Sequence, residues 1–87
     1  MSYVYFLRSV KDGEMYIGST KCLRNRIREH IKGNVPSTKN RGPLNIIGWR
    51  KFYDIAEAAQ WEKKYKNSHG QIERDIKNKK IIMSHKA

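Results

Sequence analysis

At 87 residues and a mean hydropathy of −0.85, the chain has material for one thin hydrophobic core, so a single domain over residues 1–87 is expected and a second is excluded. Nineteen Lys and Arg against eight Asp and Glu leave a net charge of +11, a field that self-repels unless a polyanion meets it. Nucleic acid therefore ranks ahead of a membrane surface or a merely soluble basic domain.

Cys22 is the one cysteine, which rules out an internal disulfide and suits a reducing compartment. Cys22, His30, His69 and His85 lack the short spacings of a closed zinc site. No apolar run reaches the roughly 18 residues of a membrane span, and the start MSYVYFLRS has no basic segment leading into a long apolar one. The chain thus reads as cytoplasmic, with no membrane partner.

In chain order, residues 2–10 and 14–19 alternate as two antiparallel strands around an Asp12-Gly13 turn. Strand parity puts Tyr3, Tyr5 and Leu7 on one face and Val4, Phe6 and Arg8 on the other. Ser19 or Thr20 is expected to cap a helix over 21–32 that Gly33-Asn34 ends. Residues 34–43 have loop composition, and LNIIGWRKF, 44–52, reads as a third strand with Gly48 marking a bulge. Asp54 with Glu57 predicts the capped start of a second helix, which Gly70 would stop. QIERDIKNKKI then reads as a short third helix, with a basic tail from about residue 77. The β-β-α-β-α-α order describes an α/β fold: a small sandwich with a three-stranded antiparallel-type sheet flanked by helices.

Two helices carry polar groups beside apolar stripes. At about 100° per residue, Leu23, Ile27 and Ile31 form the buried stripe of the first, with His30 about 20° and Arg26 about 60° beyond Leu23. Arg26 is then either a snorkelling side chain or a functional one, and His30 either a half-buried packing residue or a functional one. On the second helix Glu62 falls inside the arc of Ala58, Tyr65, Trp61 and Ile55. A carboxylate there needs compensation, either an ion pair with an arginine such as Arg26 or a bound metal.

These residues occur in an order that resembles the GIY-YIG nuclease superfamily, as a small stand-alone catalytic domain. The first signature ends at the tyrosine of Tyr3-Val4-Tyr5, and Tyr16-Ile17-Gly18 matches the second in full. Arg26 stands ten residues beyond Tyr16, His30 one turn later, and Ala58, Glu62 and Lys66 follow the pattern around the family's metal-binding glutamate. Tyr3 replaces the first glycine, and Ser19 stands where some members have a lysine.

The resemblance, which spans about residues 2–82, implies a metal-dependent endonuclease that hydrolyses DNA phosphodiester bonds with a single divalent cation. That cation would be Mg²⁺ (or Mn²⁺), held by Glu62. Arg26 would stabilise the transition state, Tyr5 and Tyr16 would position or activate water, and His30 would serve as a relay or simply pack. An unperturbed phenol, with a pKa of about 10, needs help to act as a base at neutral pH. The implied partner is DNA, branched or damaged substrates included, as in repair or recombination, with a partner protein as one source of specificity. The alternative is a non-catalytic nucleic-acid-binding module on the same fold. Under either reading Lys39, Arg41, Arg50, Lys51 and Lys63, with Lys64, Lys77, Lys79 and Lys80, are expected to give salt-dependent backbone binding.

Overall fold

In the computed structural model, which describes residues 1–35, 38 and 43–84, the opening alternation becomes strands β1 (Ser2–Ser9) and β2 (Met15–Thr20). Gly13 turns the chain at φ 73°, a region glycine enters without a Cβ clash. Its N–H donates to the Ser9 carbonyl and the Ser9 N–H to the Glu14 carbonyl, both at 2.9 Å. Helix α1 (Leu23–Ile31) is shorter than expected. Neither Ser19 nor Thr20 caps it: the N-cap position is Cys22, without a side-chain bond, and the Thr20 hydroxyl instead accepts from the Cys22 N–H at 3.1 Å. Gly33, at φ 77°, ends the helix as expected.

Strand β3 (Leu44–Phe52) lies antiparallel to β1 on the side opposite β2. Phe6 pairs with Gly48 and Leu7 with Ile46, so Ile47 is the extra residue of a bulge beside the glycine that signalled it. Asp54 caps helix α2 (Ile55–Asn67) through the Glu57 N–H at 2.8 Å. The break between α2 and α3 (His69–Lys77) comes at Ser68, not Gly70. Ser68 is extended (φ −150°) and its hydroxyl accepts from Gln71 N–H at 3.2 Å, so a capping serine divides the helices and Gly70 sits inside α3.

The predicted sandwich gains a fourth strand. The stretch taken for a basic tail turns at 78–80, with Lys79 at φ 62°, and Ile82–Met83 forms β4 against Gly48 and Trp49. A Cβ at Gly48 would lie 2.4 Å from the Ile82 carbonyl oxygen, so the glycine also admits β4. The sheet order is β2-β1-β3-β4, antiparallel throughout.

Helices cover both faces. Val4 and Phe6 join Phe52, Ala58, Tyr65, Ile72 and Ile81 in the core under α2 and α3, each large apolar side chain contributing about 1.5–3 kcal/mol by burial. Tyr5 and Leu7, on the other face, are buried beside α1. Among the described residues no helix is long and apolar enough to cross a membrane.

Candidate functional site

Antiparallel partners share a face, so the Tyr5–Gly18 and Leu7–Tyr16 pairs put both tyrosines on the α1 side of the hairpin. The Tyr5 ring lies across its cross-strand partner: a Cβ at Gly18 would fall 2.3 Å from the Tyr5 hydroxyl oxygen and 2.5 Å from Cζ. Gly18 is needed there for room rather than for its backbone conformation.

The Tyr5 hydroxyl meets His30 Nε2 at 2.9 Å and receives Arg26 Nε at 3.4 Å, and His30 Nδ1 lies 2.7 Å from Thr38 Oγ1. Thr38 donates its hydroxyl to the Val35 carbonyl at 3.5 Å, which leaves Oγ1 to accept from His30 Nδ1–H. His30 Nε2 then carries a lone pair and accepts the Tyr5 proton. Burial first, and then the Arg26 guanidinium, lower the His30 pKa from 6.5, so the imidazole is neutral at pH 7 and suited to that acceptance.

His30 is 5 % exposed and Ile31 69 %. The histidine therefore takes the inward place that the helical arc assigned to Ile31. Thr38, 2 % exposed, was hidden in a segment that reads as a loop. Its signal in the sequence is indirect: a buried imidazole needs partners on both nitrogens.

Glu62 approaches from the other side of the sheet. Ser19, paired with Val4 and so facing α2, donates to Glu62 Oε1 at 2.5 Å, and Lys66 Nζ lies 2.7 Å from Oε2. Glu62 thus finds its compensation in Ser19 and Lys66; among the described residues its ion pair is not with Arg26. Its side chain keeps 22 % exposure. Because β2 is the sheet edge, one groove of about 530 Å³ wraps around it and is lined by Tyr5, Tyr16, Arg26 and His30 from one face and Glu62 from the other. Lys66 and His69 also border it; the sequence reading gave His69 no part there. Among the described residues, no three His, Cys, Asp or Glu side chains cluster to hold a metal.

The basic residues divide. Lys51 and Lys63 are exposed. Arg50 is engaged internally: it donates to Tyr65 at 2.8 Å and pairs with Asp75 at 3.2 Å, and its guanidinium lies 4.3 Å from the Trp61 ring centroid and 4.7 Å from that of Phe52. Tyr65 also donates to Asp75 at 2.5 Å, and burial first, then the bond to that carboxylate, push its phenol up to about 12. Lys64 sits 4.5 Å over the Trp61 ring. Lys39 and Arg41 lie outside the described residues.

A family described as the GIY-YIG catalytic domain matches residues 1–80. The UPF0213 protein BH0048 of Halalkalibacterium halodurans is 36% identical over 66 residues, 75% of this chain and 69% of that one. The UPF0213 protein OB0043 of Oceanobacillus iheyensis is 37% identical over 65 residues, 74% of each chain. UvrABC system protein C of Prochlorococcus marinus is 35% identical over 51 residues, 59% of this chain but 7% of that protein. The solution NMR structure of UPF0213 protein BH0048 from Bacillus halodurans superposes with a TM-score of 0.51 and 32% identity, covering 92% of this chain and 86% of that one.

Proposed function

Since the chain belongs to the GIY-YIG catalytic domain family, a family of nucleases, we propose that it is a DNA endonuclease hydrolysing phosphodiester bonds with one divalent cation. The observation that carries this reading is the Arg26–Tyr5–His30–Thr38 chain opening onto the groove that Glu62 borders.

The donor set suits Mg²⁺ or Mn²⁺. Glu62 offers a hard, half-open carboxylate, and such ions retain water and phosphate as most of their ligands. Glu62 would hold such an ion, which when bound would supply positive charge beside the reacting phosphate. The chain's own residues handle the protons. Tyr5 passes its hydroxyl proton to His30 Nε2 as it takes one from the attacking water, and the resulting imidazolium is held through Nδ1–H by Thr38. Arg26 has its two terminal nitrogens free of the Tyr5 contact to fork onto the phosphate oxygens as negative charge builds. Among the described residues the Tyr16 hydroxyl has no hydrogen-bond partner, which suits a positioning role on water or substrate and leaves Tyr5 as the base.

The substrate is DNA at a cytoplasmic location, and exposed Lys51 and Lys63 strengthen its backbone binding in a salt-dependent way. The setting we propose is DNA repair or recombination, and the likeness to UvrABC system protein C supports repair. The test is plasmid nicking with Mg²⁺ or Mn²⁺. Nicking should vanish in Arg26→Ala and Glu62→Ala while DNA binding survives. Unchanged nicking in both variants refutes the site, and binding with no nicking by the unaltered protein favours the non-catalytic module.

A further inference from the structure

The α1 face carries a second groove, on the β3 flank of the helix. Tyr3 and Trp49 form its floor: Tyr5 pairs with Trp49 and Tyr3 with Lys51, so all four side chains leave the sheet on one side. Tyr3 and Trp49 are half-buried and line the groove, which measures about 610 Å³, within the roughly 300–1,000 Å³ of small-ligand sites. Its wall is α1 itself. Lys21, Arg24 and Arg28 stand on the rim and are exposed, as is Lys51 beside Tyr3. Among the described residues no carboxylate lines it. Arg24 and Arg28 are one turn apart and project together, whereas Arg26 turns to the catalytic groove on the opposite flank.

Resting on the nuclease reading, we propose that this groove is a subsite for an unpaired nucleobase of the substrate. A base stacks on Trp49 and Tyr3, and its flanking phosphates meet Lys21, Arg24 and Arg28. Aromatic floors rimmed by cations hold single strands this way, because every base has a π-face and every linkage a charge. A base locked in a duplex cannot reach the floor. The groove therefore selects DNA with a single-stranded arm, lying across α1 from the residues proposed to cut.

The test measures binding without divalent metal, in a Glu62→Gln background, to three probes: a blunt duplex, the same duplex with a single-stranded arm, and heparin. Trp49→Ala should weaken the armed duplex about 10-fold or more and the blunt duplex and heparin little, while Trp49→Phe, which keeps a π-face, should restore most of the loss. If Trp49→Ala fails to melt cooperatively, Tyr3→Leu is read in the same way. Trp49 fluorescence in a Trp61→Phe protein should also quench on adding the armed duplex. An equal loss on all three probes identifies a generic anion surface and overturns the proposal, as does no loss at all. If the unaltered protein binds heparin but neither DNA, the nuclease reading itself fails.

Discussion

Gly18→Ala should disable the protein without replacing a group that takes part in the proposed chemistry. The added Cβ would sit 2.3 Å from the Tyr5 hydroxyl oxygen and 2.5 Å from Cζ, so ordinary contact near 3.4 Å requires the ring to retreat by about 1 Å. Tyr5 has little room to do so, being 3 % exposed and tied by its hydroxyl to His30 and Arg26. Overpacking of this kind costs about 1–3 kcal/mol of stability. A displacement of about 1 Å at a reacting group costs on the order of 10²-fold in rate.

Urea unfolding and plasmid nicking read the two effects separately. Tyr5→Leu supplies the control, since it removes the hydroxyl and Cζ that the new methyl would strike. In that background Gly18→Ala should cost close to nothing in stability, a coupling a double-mutant cycle isolates. Gly13→Ala is the second comparison: it meets no atom within 4 Å but has φ +73°, so it should lose about 1 kcal/mol and keep its nicking rate. A Gly18→Ala protein that unfolds and nicks like the unaltered one refutes both the close packing and the role of Tyr5.

His30, depressed below 6.5 by burial and by Arg26, contributes stability that is complete above about pH 6.5 and is lost as pH falls through its folded value, because the unfolded chain binds the proton more readily. His30→Gln should flatten that part of the stability profile, remove the matching acid limb of nicking and slow nicking about 10²-fold. Lys66→Met removes the ammonium 2.7 Å from Glu62 and should tighten Mg²⁺ binding about 2- to 5-fold, as seen by calorimetry; weaker binding would mean that Lys66 helps form the site. Asp75→Ala strands Arg50 and should cost about 3–5 kcal/mol in urea unfolding. Arg50→Met should lower the melting temperature but leave the salt slope of DNA binding intact, whereas Lys51→Met should reduce that slope by about 1.

What the sequence disclosed follows from how local each signal is. Strand alternation needs no tertiary information, so it placed Tyr3, Tyr5 and Leu7 on one face, and turn chemistry found Gly33, Asp54 and the Gly48 bulge. A two-residue strand such as β4 has no period to detect, and its pairing to Gly48 is a long-range event. Counting Arg50 with the surface cations missed its internal partners, Tyr65 and Asp75, for another reason: charge alone does not say where a side chain is aimed. The missing clue was available. The helical argument that singled out Glu62 also applies to Asp75, which lies about 60° from Ile72 on α3, and a buried carboxylate at 1 % exposure requires a cation. His30 displaced Ile31 because its two nitrogens are satisfied by Tyr5 and Thr38, and a hydrophobic arc does not register that.

The position of β2 at the sheet edge resolves the remaining oddity, that the proposed site draws residues from opposite faces. Tyr16 and Gly18 point toward α1, while Ile17 and Ser19 alternate toward α2 and bring the Glu62 carboxylate with them. In an interior strand the same alternation would leave those two sets on opposite sides of a hydrogen-bonded layer. At the β2 edge both sets border one groove, and on the proposed reading a phosphate seated there would meet Arg26 from one side and Glu62 from the other. An edge usually needs protection from stray pairing; here the β2 edge lets residues from both layers border one groove.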